Sequence, residues 1–364
     1  MSTAPAPDGS KPDGSKQNST EQSSAKPGAL MAAEIAEQPA VLEQLLADGL
    51  AEITEVAARI RRYAPRFVVL AARGTSDHAA LYAKYLAEIR MAVPAGLASP
   101  SSMTVYGARP ALDGVLFLAV SQSGGSPDLV DSLSVARACG ALTVAVTNNP
   151  GSDLAAAAEV HVDVRAGVER AVAATKTYTA ELLALYLLLA GDRNGTTPAE
   201  AAAPLAAAAE RTLATGAGST AARRYRRVDR LVLTGRGYSY PTAREAALKL
   251  METSYLSAQA FSGADLLHGP LAMIDAAVPV IALVPPGRGG AAMAPVLERL
   301  AARGADVLPV GRPDGLALAS TGIAEELLPI LEILPLQQLA WRLALDRGTD
   351  PDRPRGLAKV TSTW

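Results

Sequence analysis

The sequence is poor in the residues that hold metals or staple small folds. It has one cysteine, Cys139, and three histidines, His78, His161 and His268, in 364 residues. A lone thiol excludes an internal disulfide framework and a CxxC metal motif, and histidines so far apart do not form a zinc cluster. Charged residues make up only 19% of the chain and their formal sum is −2. That balance excludes a polyanion-binding surface as the main business, and the local run RRYRR at 223–227 reads as a solvated helix end. No stretch reaches the ~20 apolar residues of a membrane span. The start lacks a basic segment followed by an apolar one, so no secretory signal is expected. The expectation is a soluble, cytoplasmic protein with neither nucleic acid nor membrane as partner and with no metal. What is abundant is apolar surface: hydrophobic residues are 49% of the chain, enough for a large core.

Residues 1–28 are Ser, Pro, Gly, Lys, Asp and Gln, with DGSK at both Asp8 and Asp13. This composition reads as a disordered tail. From Leu30 onward, MAAEIAEQPAVLEQLLADGL predicts a helix, a break at Pro39 and a second helix. From Arg66 strands and helices alternate: strands at 67–72, 115–120, 142–147 and 160–164, with a long apolar helix from AATKTYTAELLALYLLLAGD. The pattern then restarts. RLVLTGRGYSYPTAREAALKLME (230–252) resembles RFVVLAARGTSDHAALYAKYLAE (66–88), with Arg73, Gly74 and Ser76 matching Arg236, Gly237 and Ser239. The second copy continues with strands in VPVIALVPPG and DVLPVG and a last helix in LPLQQLAWRLALDRG. The predicted class is α/β: two tandem units, 29–200 and 201–364, each a parallel β-sheet flanked by helices. Ligands of such sheets sit at the carboxyl ends of the strands.

The apolar strand at 115–120 runs into SQSGGSPD, Ser121 to Asp128. Free N–H groups at the helix start, permissive glycines and three uncharged hydroxyls suit a phosphate. They also suit a polar turn capped by Ser126 or Asp128. Glu245, Lys249 and Glu252 share one face of the second-copy helix, either as a surface ion-pair ladder or as part of a site. His268 precedes Gly-Pro, a rigid setting that suits a positioned acid/base or a structural turn. Lys359 stands between apolar residues in the tail PRGLAKVTSTW, where it could meet a phosphate, a carboxylate or an aldehyde carbon.

Taken in order, the motifs MxxEIxEQP (31–39), ARGTSDHA (72–79), SQSGGSPD, NNPGS (148–152), AVAATKTYT (171–179), EAALKLMETSY (245–255), LHGPLAMID and PRGLAKVT resemble the SIS, or sugar isomerase, family over Met31 to Thr361. Within that family the chain resembles the isomerase half of glucosamine-6-phosphate synthase and SIS-type glucosamine-6-phosphate deaminases. The resemblance implies tandem SIS subdomains of flavodoxin-like form and no cofactor. It implies that Ser121, Gln122, Ser123 and Ser126 hold the phosphate of an amino-sugar 6-phosphate, with Thr75 and Ser76 beside them. Val172 and Ala173 would line the sugar pocket through backbone groups, and the C-terminal tail would close the site. Glu252 would move a proton between carbon 1 and carbon 2, Lys249 would orient or shield it, and Lys359 would lie near the sugar carbonyl. His268 would open the ring, donated across a homodimer interface.

The synthase draws ammonia from glutamine with an N-terminal cysteine. Here the segment before residue 29 is short and the one cysteine is Cys139, so the expectation is the deaminating reaction, glucosamine 6-phosphate to fructose 6-phosphate and ammonia. Two alternatives stand beside it. One is elimination of water from N-acetylglucosamine 6-phosphate by the same proton abstraction. The other is a non-catalytic sugar-phosphate sensor.

Overall fold

The computed structural model describes residues 26–359. Most of the segment expected to be disordered, 1–25, lies outside them, as does 360–364. The first sheet contains β1 (Phe67–Ala71), β2 (Ala95–Leu97), β3 (Val115–Ser121), β4 (Leu142–Thr147) and β5 (Val160–Asp163), in the order β2-β1-β3-β4-β5. The second contains β6 (Arg230–Gly235), β7 (Ser257–Ser262), β8 (Val280–Leu283) and β9 (Val307–Val310), in the order β7-β6-β8-β9. All pairings between these strands are parallel. The second sheet repeats the strand order of the first, as the sequence repeat requires. In each, the order reverses beside the first strand, between β1 and β3 and again between β6 and β8. Connections leave such a point in opposite directions and open a crevice at the strand ends.

The central strands follow from their composition. Every residue of VLFLAVS in β3 and of LTVAVT in β4 is buried, as expected of parallel strands covered on both faces. The register pairs Phe67 with Val115 and Ala71 with Ala119, so the two strands start level and β3 runs on past the end of β1 to Ser121. The edge strands β2 and β7 carry AGL and SAQAFS. Neither segment has the β-branched alternation that marks a strand in sequence, and neither was expected.

Pro39 does not break the first helix, which runs unbroken over Ala29–Gln44. A proline removes the N–H that would serve the carbonyl four residues back, here Ile35. Gln38 Nε2 donates to that carbonyl at 3.0 Å instead, so the lost bond is replaced from the neighbouring side chain. The last helix, Leu328–Asp346, starts earlier than its pattern suggested and continues through Pro335. Gly218 packs on the Pro335 carbonyl, where a Cβ would lie 1.9 Å from the oxygen.

The Lys176–Leu189 helix is buried along its whole length, as its apolar run implied. The Gly74–Leu86 helix of the first copy packs on the Ser239–Ser254 helix of the second. One continuous core includes Leu70 and Tyr82 from the first copy with Leu231, Leu250 and Leu343 from the second. Among the described residues no helix is long and apolar enough to cross a membrane.

Candidate active site

A cavity of about 310 Å³ opens at the carboxyl ends of β1 and β3, the reversal point of the first sheet. One wall is the SQSGGSPD turn. Gly124 there has φ +63°, and a Cβ would lie 2.1 Å from Ser152 Oγ, so only glycine fits. Its N–H donates to Ser121 Oγ at 3.2 Å. Ser126 is the N-cap of the Pro127–Ala138 helix, yet its side chain makes no capping hydrogen bond. The capping alternative for Ser126 therefore does not hold. Asp128 is buried and takes the Arg73 guanidinium at 2.5 Å. Arg73 thus stands at the cavity wall with its charge tied to the first turn of that helix. The helix dipole, the backbone donors and the hydroxyls together make a wall suited to an anion.

The opposite wall comes from the second copy. Glu245 and Lys249 are 0% and 1% exposed, so the expected surface ladder is a buried one. Lys249 Nζ lies 3.3 Å from Glu245 Oε1 and 2.7 Å from Glu252 Oε2. Thr75 Oγ1 donates to Glu245 at 3.0 Å and accepts from Lys249 at 3.0 Å, and His78 Nδ1 lies 2.7 Å from the other Glu245 oxygen. Burial works to raise the Glu245 pKa, but Lys249, His78 and Thr75 outweigh it and hold the carboxyl below its ordinary range. Burial would strip the Lys249 proton, and the two carboxylates outweigh that and hold it more firmly. Of the three groups, only Glu252 remains partly exposed, on the cavity side.

The tail closes a third side with Leu357, Ala358 and Lys359. Lys359 Nζ donates to the Ala171 carbonyl at 2.6 Å and lies 3.7 Å from Glu169 Oε2. Burial pushes the Lys359 pKa down, opposed by Glu169 and Glu34. Among the described residues no group of three or more His, Cys, Asp or Glu could hold a metal ion.

Thr75, Ser76, Ser121, Gln122, Ser123, Ser126, Val172, Lys249, Glu252 and Lys359 all line this cavity. Ala173 does not. It is fully buried, and its neighbour Ala174 lines the wall instead. His268 is exposed at the end of the short Gly263–Leu267 helix and is not part of the lining within one chain. Arg73, Thr177 and Glu181 line the cavity without having been singled out for it. The signal for Arg73 was its recurrence before Gly-x-Ser in both copies. For Glu181 it was the one acid of its helix, standing directly before the apolar run LLALYLLL, a residue type almost never fully buried unless paired.

Comparison with known proteins agrees with this geometry. The SIS domain model matches residues 63–191 and 224–318. Glutamine–fructose-6-phosphate aminotransferase [isomerizing] of Gloeobacter violaceus is 35% identical over 357 residues, covering 90% of this chain and 58% of that protein. The chain therefore spans little more than half the length of the curated relatives it matches. Among solved structures, the C-terminal domain of glucosamine-fructose-6-phosphate aminotransferase from Francisella tularensis superposes with a TM-score of 0.76 at 28% identity, covering 93% of this chain and 100% of that one. Glucosamine-6-phosphate deaminase of Thermotoga maritima shares the fold, with a TM-score of 0.74 at 19% identity over 92% of this chain and 100% of that one. The two matched segments carry the two sheets and both Arg-Gly-x-Ser turns, and on that footing the chain belongs to the SIS domain family.

Proposed function

We propose that the chain is a deaminating isomerase that converts glucosamine 6-phosphate and water to fructose 6-phosphate and ammonia. The observation that carries this reading is the meeting, in one cavity, of an anion-binding turn and a carboxylate held by a buried lysine. The turn takes the phosphate and fixes the sugar chain along the cavity. Glu252 then removes the carbon 2 proton and returns it at carbon 1. The electron pair shifts so that the carbon 2 amine becomes an imine, which water hydrolyses to the ketone with loss of ammonia. Lys249 orients Glu252 throughout, and Lys359, in the cavity lining, polarises the sugar carbonyl in this reading.

The name of the Gloeobacter relative joins fructose 6-phosphate with isomerisation, which supports the substrate class. The sequence's one cysteine, Cys139, closes the Pro127–Ala138 helix and does not line the cavity.

His268 serves ring opening only if a second copy brings it to the cavity. Leu267 and Met273 beside it are exposed, as is Met251 next to Glu252. Exposed apolar side chains near both groups suit a homodimer interface that joins them.

The test is product identification with glucosamine 6-phosphate and N-acetylglucosamine 6-phosphate offered separately. Ammonia and fructose 6-phosphate from the first are expected. A dehydrated sugar from the second, without ammonia, would replace this reading with elimination. Tight binding of both without turnover would make the chain a sensor.

A further inference from the structure

The buried acid Glu181 is not used by the chemistry above. It is fully buried in the Lys176–Leu189 helix, and one of its oxygens lies 2.8 Å from Ser76 Oγ. The other, Oε2, has no hydrogen-bond partner among the described residues. The side chain belongs to the cavity wall. The titratable groups that act on it are Glu169, from the loop before its helix, and Glu245, from the Ser239–Ser254 helix, both acids. The cations of the site are taken: Lys249 pairs with Glu245 and Glu252, Lys359 with Glu169, and Lys176, on the same helix, with Glu37.

We propose that Glu181 is a positioning residue: it sets which way the Ser76 hydroxyl points and so equips the cavity to bind a phosphate. This deepens the phosphate reading of the cavity and rests on it. An ionised Glu181 accepts the Ser76 hydrogen and leaves only lone pairs for an arriving anion. A protonated Glu181 donates to Ser76 Oγ and turns the hydroxyl hydrogen into the cavity. Burial pushes the Glu181 pKa up to about 8, against the hydrogen bond from Ser76, so the protonated form prevails at neutral pH.

The repeat supplies an internal control. Ser239, at the matching place in the second Arg-Gly-x-Ser turn, lies 2.7 Å from Glu332 Oε1, and Glu332 is also fully buried with Oε2 unpartnered. The second copy's pair stands outside the cavity described above, however. The Glu325 carboxylate accepts from the Arg288 and Gly289 N–H groups at 3.0 and 2.7 Å, and neither Ser239 nor Glu332 lines the cavity. The same Ser–Glu pair is therefore structural in one copy and faces the cavity in the other.

The experiment measures binding of inorganic phosphate and of fructose 6-phosphate by calorimetry, with melting temperatures, for wild type and for Glu181→Gln, Glu181→Ala, Glu332→Gln and Glu332→Ala. Glu181→Ala is expected to weaken both ligands about tenfold, as loss of a directed bond to a charged group does. Glu181→Gln, whose amide also donates to Ser76, is expected to stay near wild type. Wild-type affinity for fructose 6-phosphate, whose phosphate is already dianionic there, should fall more steeply between pH 7 and 9 than that of Glu181→Gln, in which only Lys359 and its neighbours titrate. The Glu332 variants should move melting temperature alone. Equal losses in Glu181→Gln and Glu181→Ala, unchanged binding in Glu181→Ala, or an equal loss in Glu332→Ala overturns the proposal. Should Glu181→Ala fail to fold, a pH dependence shared by wild type and Glu181→Gln overturns it as well. Phosphate binding that depends on Glu181 without turnover of any amino-sugar phosphate sinks the proposed reaction and leaves this role standing. Turnover with normal phosphate binding by Glu181→Ala does the reverse.

Discussion

Lys249 and Glu252 stand one helical turn apart with Nζ 2.7 Å from Oε2, and the lysine is the buried partner of the two, 1% exposed against 20%. A fully buried ammonium is costly unless paired. Here Glu245 pairs it from below and Thr75 accepts one of its hydrogens, so the ammonium has a fixed place from which to hold Glu252 at the cavity edge. The carboxylate proposed to move the proton is thus aimed by an almost wholly buried ammonium.

Glu252→Gln keeps the shape of the side chain and removes its basicity. Turnover should fall by about 10²- to 10⁴-fold, the usual worth of a general base. Binding of fructose 6-phosphate should change little, because the anion wall is intact. A parallel loss of affinity in calorimetry would show that Glu252 contributes to binding and not to proton transfer.

Lys249→Met should be the most destabilising single change in the site. It strands Glu245, fully buried, without its cation, a loss of about 3–5 kcal/mol. Adding Glu245→Gln to Lys249→Met should recover part of that loss, since the stranded charge is then gone. Urea unfolding of the two single variants and the double variant measures the coupling, and strict additivity would contradict the buried pair.

Two carboxyls make stability depend on pH in the direction opposite to the usual acidic residue. Burial raises Glu181 and Glu332 from 4.5 to about 8, each opposed by the hydrogen bond from its serine. Native protein therefore holds protons that the unfolded chain has released between those two values. The stability these groups contribute is complete below pH 4.5 and is lost as pH rises to about 8, at a slope on the order of 1 kcal/mol per pH unit for each. Glu332→Gln should remove its share of that slope. Unfolding free energies at pH 5, 6, 7 and 8 check this, and an unchanged slope would mean that Glu332 is ionised in the native protein.

If His268 acts across an interface, activity should be lost on dilution in step with dimer dissociation. Mixing an inactive Glu252→Gln chain with an inactive His268→Ala chain should restore about one quarter of the activity, because a mixed dimer then holds one complete site. A fully active monomer would rule out the shared site.

The order of elements was legible because its causes are local. Six apolar residues in a row, 115–120, write β3 into the sequence, and glycines followed by proline write the turn after it. The repeated Arg-Gly-x-Ser turns announced a duplicated sheet, and the anion wall could be read from three hydroxyls at a strand's end. The buried character of the Glu245–Lys249–Glu252 face could not. Spacing of four and three residues is the same for a solvated ladder and a core network, and only the packing of the Gly74–Leu86 helix on the Ser239–Ser254 helix brings Thr75 and His78 over it. Ala174 in place of Ala173 was decided by burial: packing seals Ala173 completely and leaves Ala174 at the cavity. Pro39 was survivable because a neighbouring amide could reach Ile35, a contact that depends on side-chain direction within the folded helix. Residue type and period along the chain specify which chemistry is carried and on what element; whether a charge meets water or another charge depends on surfaces that come together only when distant segments pack.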